Sequence, residues 1–452
     1  MRKKTYRVTW MLLILGVACL AVPAGAEVSV RECIQGAPEE HSYRLGAGAS
    51  ADITSMGFNL YSTSDAVVLV SIFHRDGTAN AQTVRYNAQI DGTNNGRLSP
   101  AIQYFTKTAS VHQSYTTFRV FFQGIAAGNH TLTIKAFNLS NAEVELGGIY
   151  IATLFLDSAE SGVYDQRIVT QSVGEAWTQV AAVTLPPDAD KHYFVSTYLR
   201  GSSSSTVQFR YRVAGVVKQT YTVNLAGENS TNLHLILTDA SPGQVVELQA
   251  FGTSTMTVAE MNVQTFPKYS VLEASATNTV SVPYQHWALT PVLEGTNAFL
   301  NALTLSGPPA ENPPNQRQVC SWGYGMSHMS MTDSSEAETH LYLLENGTPF
   351  PWDISVIGLS PTATSTYYPQ QSDIGCGIGL FTDRQYRVRQ DVRALAGPAP
   401  LVVGPRRLQI MFMPAPADAA NHTCTSSHAP WCSYVCQMLL PTAATVARDF
   451  DN

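Results

Sequence analysis

The segment Gly128-Asn129-His130-Thr131-Leu132-Thr133-Ile134-Lys135-Ala136-Phe137 returns later in the chain as Gly243-Gln244-Val245-Val246-Glu247-Leu248-Gln249-Ala250-Phe251. It does not return alone. Val70 to Arg75 recurs as Val195 to Arg200, and Val84, Tyr86, Ala88 and Ile90 before Gly92 recur as Val207, Phe209, Tyr211 and Val213 before Gly215. Order and spacing are both kept, which is how a chain built from repeated structural units reads. A third, more divergent copy is expected around Gly404 to Met413, with Leu408, Ile410 and Phe412 in the places of Leu132, Ile134 and Ala136.

Within the matched blocks apolar and polar residues alternate, the pattern of a strand with one buried face. Breaker pairs such as Asp76-Gly77, Asp91-Gly92, Gly201-Ser202 and Pro242-Gly243 separate them. Many short strands joined by such turns predict an all-β chain of three tandem antiparallel β-sandwich domains, jelly-roll or immunoglobulin-like. The first two copies end alike, at Val144 to Phe155 and Met256 to Phe266, and Ser433 to Leu440 is taken as the third such end. The boundaries expected from this are 40–158, 165–270 and 275–441, with a polar tail over 442–452. The third unit is read as carrying insertions: a Pro-rich connection over 307–314, aromatic loops around Pro349 to Trp352 and Pro361 to Gln371, and short helices at Ser335 to Leu344 and Asp391 to Ala396.

Arg2, Lys3, Lys4 and Arg7, the apolar stretch from Val8 to Val22 and the small-residue exit Ala24-Gly25-Ala26 make residues 1–26 a secretory signal peptide. After it, no run of about 18 apolar residues follows, so no transmembrane segment is expected beyond the signal. The expected location is secreted, periplasmic or at the cell surface. Charged residues make up 13% of the chain and the net charge is −7. That leaves no broad basic field for a phosphate backbone, and nucleic acid is excluded as a partner.

Without Cys19 of the leader, six cysteines remain: Cys33, Cys320, Cys376, Cys424, Cys432 and Cys436. An even number in an exported chain reads as a disulfide set, and five of the six fall in the third unit, whose long loops they would staple. Oxidation also argues against a zinc reading of the cysteines and histidines between His422 and Cys436.

The run Met326-Ser327-His328-Met329-Ser330-Met331 joins thioether and imidazole in the manner of a copper site. Strand alternation would put Met326 and His328 on one face and Met329 and Met331 on the other. No nucleophile elbow, metalloprotease helix, phosphate loop or Cys-x-x-Cys pair is present, so the chain is read as not an enzyme, with no catalytic residue and no cofactor assigned. Aromatics point to binding instead. Trp352, Tyr367, Tyr368 and Trp431 fall in segments read as loops, where flat rings can stack on sugars while neighbouring amides and carboxylates meet hydroxyls. The expected function is therefore a non-catalytic, adhesin-like surface protein that binds glycan or another cell-surface ligand through its third domain. The alternatives are a self-associating structural subunit of a surface layer or appendage, and an exported copper-binding protein or enzyme.

Overall fold

The computed structural model describes residues 29–35, 42–60, 63–75, 82–93, 97–99, 103–107, 111–157, 163–166, 170–187, 191–201, 206–224, 230–252, 254–285, 288–299, 318–331, 335–359, 370–381, 384–397, 399–414 and 432–435. Among them the regular elements are all strands, in antiparallel sheets. β1 (Ser29–Gln35) precedes a first group made of β2 (Ser42–Leu45), β3 (Ser50–Leu60), β4 (Ser64–Arg75), β5 (Gln82–Ile90), β6 (Arg97–Ser99), β7 (Gln103–Lys107), β8 (Val111–Ile125), β9 (Gly128–Asn138) and β10 (Val144–Asp157). A second group contains β11 (Val163–Gln166), β12 (Thr170–Val173), β13 (Thr178–Thr184), β14 (Lys191–Gly201), β15 (Thr206–Val213), β16 (Val216–Asn224), β17 (Ser230–Leu237), β18 (Val245–Phe251) and β19 (Ser254–Pro267). The third contains β20 (Ser270–Ala276), β21 (Val280–Val282), β22 (Thr290–Glu294), β23 (Ala298–Phe299), β24 (Gln318–Ser330), β25 (Glu336–Glu345), β26 (Thr348–Leu359), β27 (Gln370–Phe381), β28 (Gln385–Ala396) and β29 (Leu401–Pro414). β30 (Cys432–Val435) pairs with β1.

Eight principal strands in each group follow one topology. Counting them first to eighth, one sheet runs first-eighth-third-sixth: β2-β10-β4-β8, β12-β19-β14-β17 and β20-β29-β24-β27. The other runs second-seventh-fourth-fifth: β3-β9-β5-β7, β13-β18-β15-β16 and β22-β28-β25-β26. This is the jelly-roll order, and it decides against the immunoglobulin alternative. The matched blocks of the first two copies fall on equivalent strands: β4 with β14, β5 with β15, β9 with β18, β10 with β19. The third copy lies one strand away from its expected place. Leu408, Ile410 and Phe412 lie on the eighth strand, β29, and the seventh is β28; β30 lies beside β1, outside the eight. Alternation identifies a strand but carries no strand index, so seventh and eighth strands are interchangeable to it.

Two expected helices are strands. Glu336–Glu345 and Gln385–Ala396 pair with each other as β25 and β28. Helix-favouring residues such as Glu336, Ala337 and Leu341 are overridden because both strands bury one alternating apolar set, Leu341 and Leu343 against Tyr386 and Val388, in the core of the third roll. Asn346-Gly347, both with positive φ, closes the tight β25–β26 hairpin and sets its register.

The rolls are not separate beads. β26 of the third pairs with β8 of the first, through Ile357↔Ser114, Gly358↔Gln113 and Leu359↔Val111, so that one 12-stranded sheet runs across both. The first-eighth-third-sixth sheets of all three then turn their outer faces to a common junction. One continuous cluster holds Val67, Leu69 and Phe121 of the first roll, Phe194, Ile236 and Val263 of the second, and Trp322, Tyr324 and Met411 of the third. Phe194 meets Trp322 edge-on at 5.2 Å.

The junction is polar at its centre. Arg119, wholly buried, donates to the Ser196 hydroxyl and to the Ser196 carbonyl at 3.2 Å, and lies 3.5 Å from Glu260. The hydroxyl of Ser196, accepting from Arg119, has its own proton left for His234 Nδ1 at 2.8 Å, which fixes His234 as the neutral tautomer protonated at Nε2. Gln409 reaches the exposed edge of β17: its amide donates to Ile236 O and accepts from Ile236 N, both at 2.8 Å, while Tyr324 donates to the same Gln409 oxygen at 2.6 Å. Met326 Sδ accepts from His234 N at 3.4 Å, and Tyr221 donates to His234 O at 2.5 Å. Side chains of the third roll thus close an edge strand of the second that would otherwise recruit another chain.

Burial, and then the Arg119 charge, hold the His234 pKa down at about 3. An unfolded chain protonates this histidine near 6.5 and the folded one does not, so stability falls as pH drops from about 6.5 toward 3, by up to about 1.4 kcal/mol per pH unit. His328, lowered to about 4 by burial, steepens the same limb. Urea midpoints between pH 7 and 4 should decline in the parent and less steeply in His234→Gln; equal slopes would show that His234 does not stay neutral in the fold.

Candidate functional site

On the second-seventh-fourth-fifth sheet of each roll one face is core and the other looks away from it. In the third roll this outward face carries an unusually dense polar ladder. Glu338, His340 and Tyr342 alternate along β25 with the core residues Ala337, Leu341 and Leu343, and their neighbours across β28 are Arg393, Asp391 and Arg389. The strand period alone brings these six side chains to one face.

Arg393 and His340 both bond Glu338; Tyr342 Oη lies 3.3 Å from His340 Nδ1 and the two rings stand parallel, 5.8 Å apart. Arg389 donates to Asp391 at 2.7 Å, and its guanidinium lies over the Tyr342 ring at 5.1 Å. The side chains of Glu338 and His340 are 10% exposed and that of Asp391 2%, against 24% for each arginine, so the carboxylates lie beneath a rim of guanidinium groups. Burial raises the Asp391 pKa although Arg389 opposes it. For Glu338, burial also raises the pKa, but the bonds from His340 and Arg393 outweigh it and the carboxyl titrates below its ordinary range. Among the described residues Asp391 Oδ1 has no hydrogen-bond partner, and neither do Arg389 Nε and Arg393 Nε, so this face holds a buried acceptor and two buried donors in reserve.

Trp352 lies in a strand and not in a loop. It lies on β26, where Leu341 pairs with Asp353 and Tyr342 with Pro351, so Trp352 is the extra residue of a bulge directly beside Tyr342. Pro349 and Pro351 signalled a loop in the sequence. They are accommodated in a strand because this stretch lies beyond the three residues of β26 that pair with β8. Tyr367, Tyr368 and Trp431 lie outside the described residues, as do residues 1–26, where a signal peptide is expected, and the tail 442–452.

The Met/His run is divided. Met326 joins the junction cluster, whereas Met329 and Met331 are core residues of the third roll with Val282, Val392 and Val403; His328 lies between, close to Gly404. Among the described residues no group of three or more His, Cys, Asp or Glu is arranged to hold a metal. Cys33, Cys320, Cys376 and Cys432 lie on β1, β24, β27 and β30, and Cys424 and Cys436 outside the described residues. Trp322 and Tyr324, also aromatics of the third unit, are buried in the junction. Sequence reasoning passed over the ladder although its signal was present: Arg387, Arg389, Asp391 and Arg393 alternate strictly with Tyr386, Val388, Gln390 and Val392.

No protein-family model matches the chain, and no curated protein does. Among solved structures, the STIV MCP is similar at 13% identity, over 53% of this chain and 96% of that one, with a TM-score of 0.21. The tandem CBM22-1-CBM22-2 domains of Paenibacillus barcinonensis Xyn10C are similar at 10% identity, over 57% and 94%, with a TM-score of 0.19. A structure described as the triple jelly roll fold and turret assembly in an archaeal virus is similar at 10% identity, over 85% and 90%, with a TM-score of 0.17. The jelly-roll assignment rests on the strand order, and the function is argued from the residues.

Proposed function

We propose that this is an exported, non-catalytic binding protein, adhesin-like in role, whose third roll offers its outward sheet face to a glycan. The observation that carries this reading is the ladder of Glu338, His340, Tyr342, Arg389, Asp391 and Arg393 beside the bulge at Trp352. Carboxylate and guanidinium groups held in fixed pairs exchange hydrogen bonds with hydroxyls, and aromatic rings receive the apolar faces of sugar rings. Because Arg393 pairs with Glu338 and Arg389 with Asp391, the face suits an uncharged, hydroxyl-rich ligand.

The test is a neutral-glycan array probed with the full-length protein, followed by affinity and melting temperature for Asp391→Asn and Trp352→Ala. Asp391→Asn keeps the side chain's shape but removes the charge paired with Arg389, so a tenfold or greater loss of affinity is expected at temperatures well below the variant's own melting point. If the parent binds no glycan, or both variants change stability alone, the reading fails. A second reading, a structural subunit that packs against its own copies, is favoured by the locked body of three rolls, with one 12-stranded sheet running through two of them. Sizing and electron microscopy of concentrated protein separate the two: a monodisperse monomer supports the binder, and regular arrays support the subunit.

A further inference from the structure

The outward faces of the first two rolls carry a feature related to the ladder but with a different charge balance. On the second roll, the Arg210 guanidinium lies 4.0 Å over the indole ring of the half-buried Trp177, which in turn packs against Phe251 at 5.6 Å. Two residues further along β15, Arg212 pairs with Glu247 at 3.4 Å, and Lys218 of β16 pairs with Asp239 at 2.6 Å. Arg210 donates instead from Nε to the neutral amide of Gln249 at 2.8 Å, and Gln249 passes its own donor on to Glu247 at 3.0 Å. Among the described residues, then, Arg210 is held flat on an aromatic ring by one hydrogen bond, with no carboxylate against its terminal nitrogens. In the first roll, Arg85 lies 4.1 Å over Phe137, the residue that matches Phe251 in the duplicated block.

We infer that the outward face of the second roll, centred on Arg210, Trp177 and Gln249, is a second binding site, one that takes the carboxylate of an acidic sugar, a uronic acid unit of a polysaccharide. A planar guanidinium with both terminal nitrogens open accepts a carboxylate through two parallel bonds, and the aromatic beneath fixes its plane. Trp177 and Phe251 supply apolar surface for the sugar ring, and Gln249 an amide for its hydroxyls. The charge argument selects the acidic ligand here and the neutral one on the third roll, where each ladder arginine already has its carboxylate. Burial first, and Arg212 second, lower the Arg210 pKa, while the Glu247 charge opposes them.

This inference deepens the glycan-binding reading by adding a site and a ligand class, and the two are separable by experiment. Oligogalacturonides would be titrated into the full-length protein at low salt, with tryptophan fluorescence as the readout and the methyl-esterified oligomers as the uncharged control. Arg210→Gln should weaken acid binding tenfold or more, Arg210→Lys less, and Trp177→Phe should remove the fluorescence change; Asp391→Asn should leave all of this unaltered. Equal affinity for the acid and its methyl ester, or an Arg210→Gln protein that melts and binds like the parent, would overturn the proposal. Loss of acid binding in Asp391→Asn would overturn it as well, by placing the ligand on the third roll. Failure of neutral-glycan binding with intact, Arg210-dependent acid binding would instead remove the third-roll site and leave this one standing.

Discussion

Replacing Arg119 with Met should cost about 3–5 kcal/mol of unfolding free energy, among the largest effects of any single polar substitution in the chain. Arg119 comes from β8 of the first roll, and the groups it serves, Ser196 and Glu260, belong to the second. Its removal withdraws the cation from a carboxylate that is only 9% exposed, and strips Ser196 of the donor that orients it toward His234. The double variant Arg119→Met with Glu260→Met should recover much of the loss, because removing both charges avoids the cost of burying one without the other. Urea unfolding of the parent, both singles and the double closes this cycle. A single variant that loses less than about 1 kcal/mol would show that the junction does not depend on its central charge.

Gly323→Ala should be as damaging for a steric reason. On β24, Gly323 lies opposite Ile410 of β29, and a Cβ there would come within 2.2 Å of Gln409 O and 2.8 Å of Ile410 Cα. Both are backbone atoms of the paired strand, so neither can rotate away. The clash must part β24 from β29, and these strands also hold Trp322, Tyr324, Gln409 and Met411 in the junction. We expect a loss of more than about 4 kcal/mol or failure to fold, beyond the range of ordinary overpacking. Gly46→Ala is the control, since a Cβ there meets nothing within 4 Å. Near-parental melting of Gly323→Ala would mean that the close approach of β24 and β29 is not as described.

The two variants act on different parts of one arrangement, and neither part was legible in the chain. Arg119 stands among Phe118, Val120, Phe121 and Phe122, where a charged residue in an alternating strand reads as solvent-facing. It is buried because the outer face of its sheet is covered by another roll, a fact that period-2 patterning within one strand does not encode. The same applies to Ser196, His234, Asn262 and Gln264, polar residues on an outward face that the assembly turns inward. Burial is near-continuous along β14, from His192 to Leu199, where the second roll is covered on both faces, and also along β25, from Ala337 to Glu345, whose outward side chains are ion-paired or stacked on one another; β5 and β15 alternate strictly.

For the candidate sites the division runs the other way. The ladder on β25 and β28 is an alternation pattern and was readable, but Glu336, Ala337 and Leu341 favour a helix locally, and only pairing between the two strands turned Glu338, His340 and Tyr342 to one side. Trp352 is read from the sequence as a loop aromatic, whereas its place in a strand bulge depends on how β26 pairs with β25.

By itself the sequence determined that the chain is all-β, that its first two units are copies of one another, and which residues of the duplicated blocks face a core. Those properties are local, since a two-residue period and a turn signal act within a few residues of one another. The tertiary structure alone decided that the strands close into jelly rolls, that β29 is an eighth strand, and that three sheets share one polar junction. Strand order and sheet-to-sheet contact depend on residues far apart in the chain, such as Gln409 against Ile236 and Arg119 against Glu260, whose meeting leaves no periodic mark in the sequence.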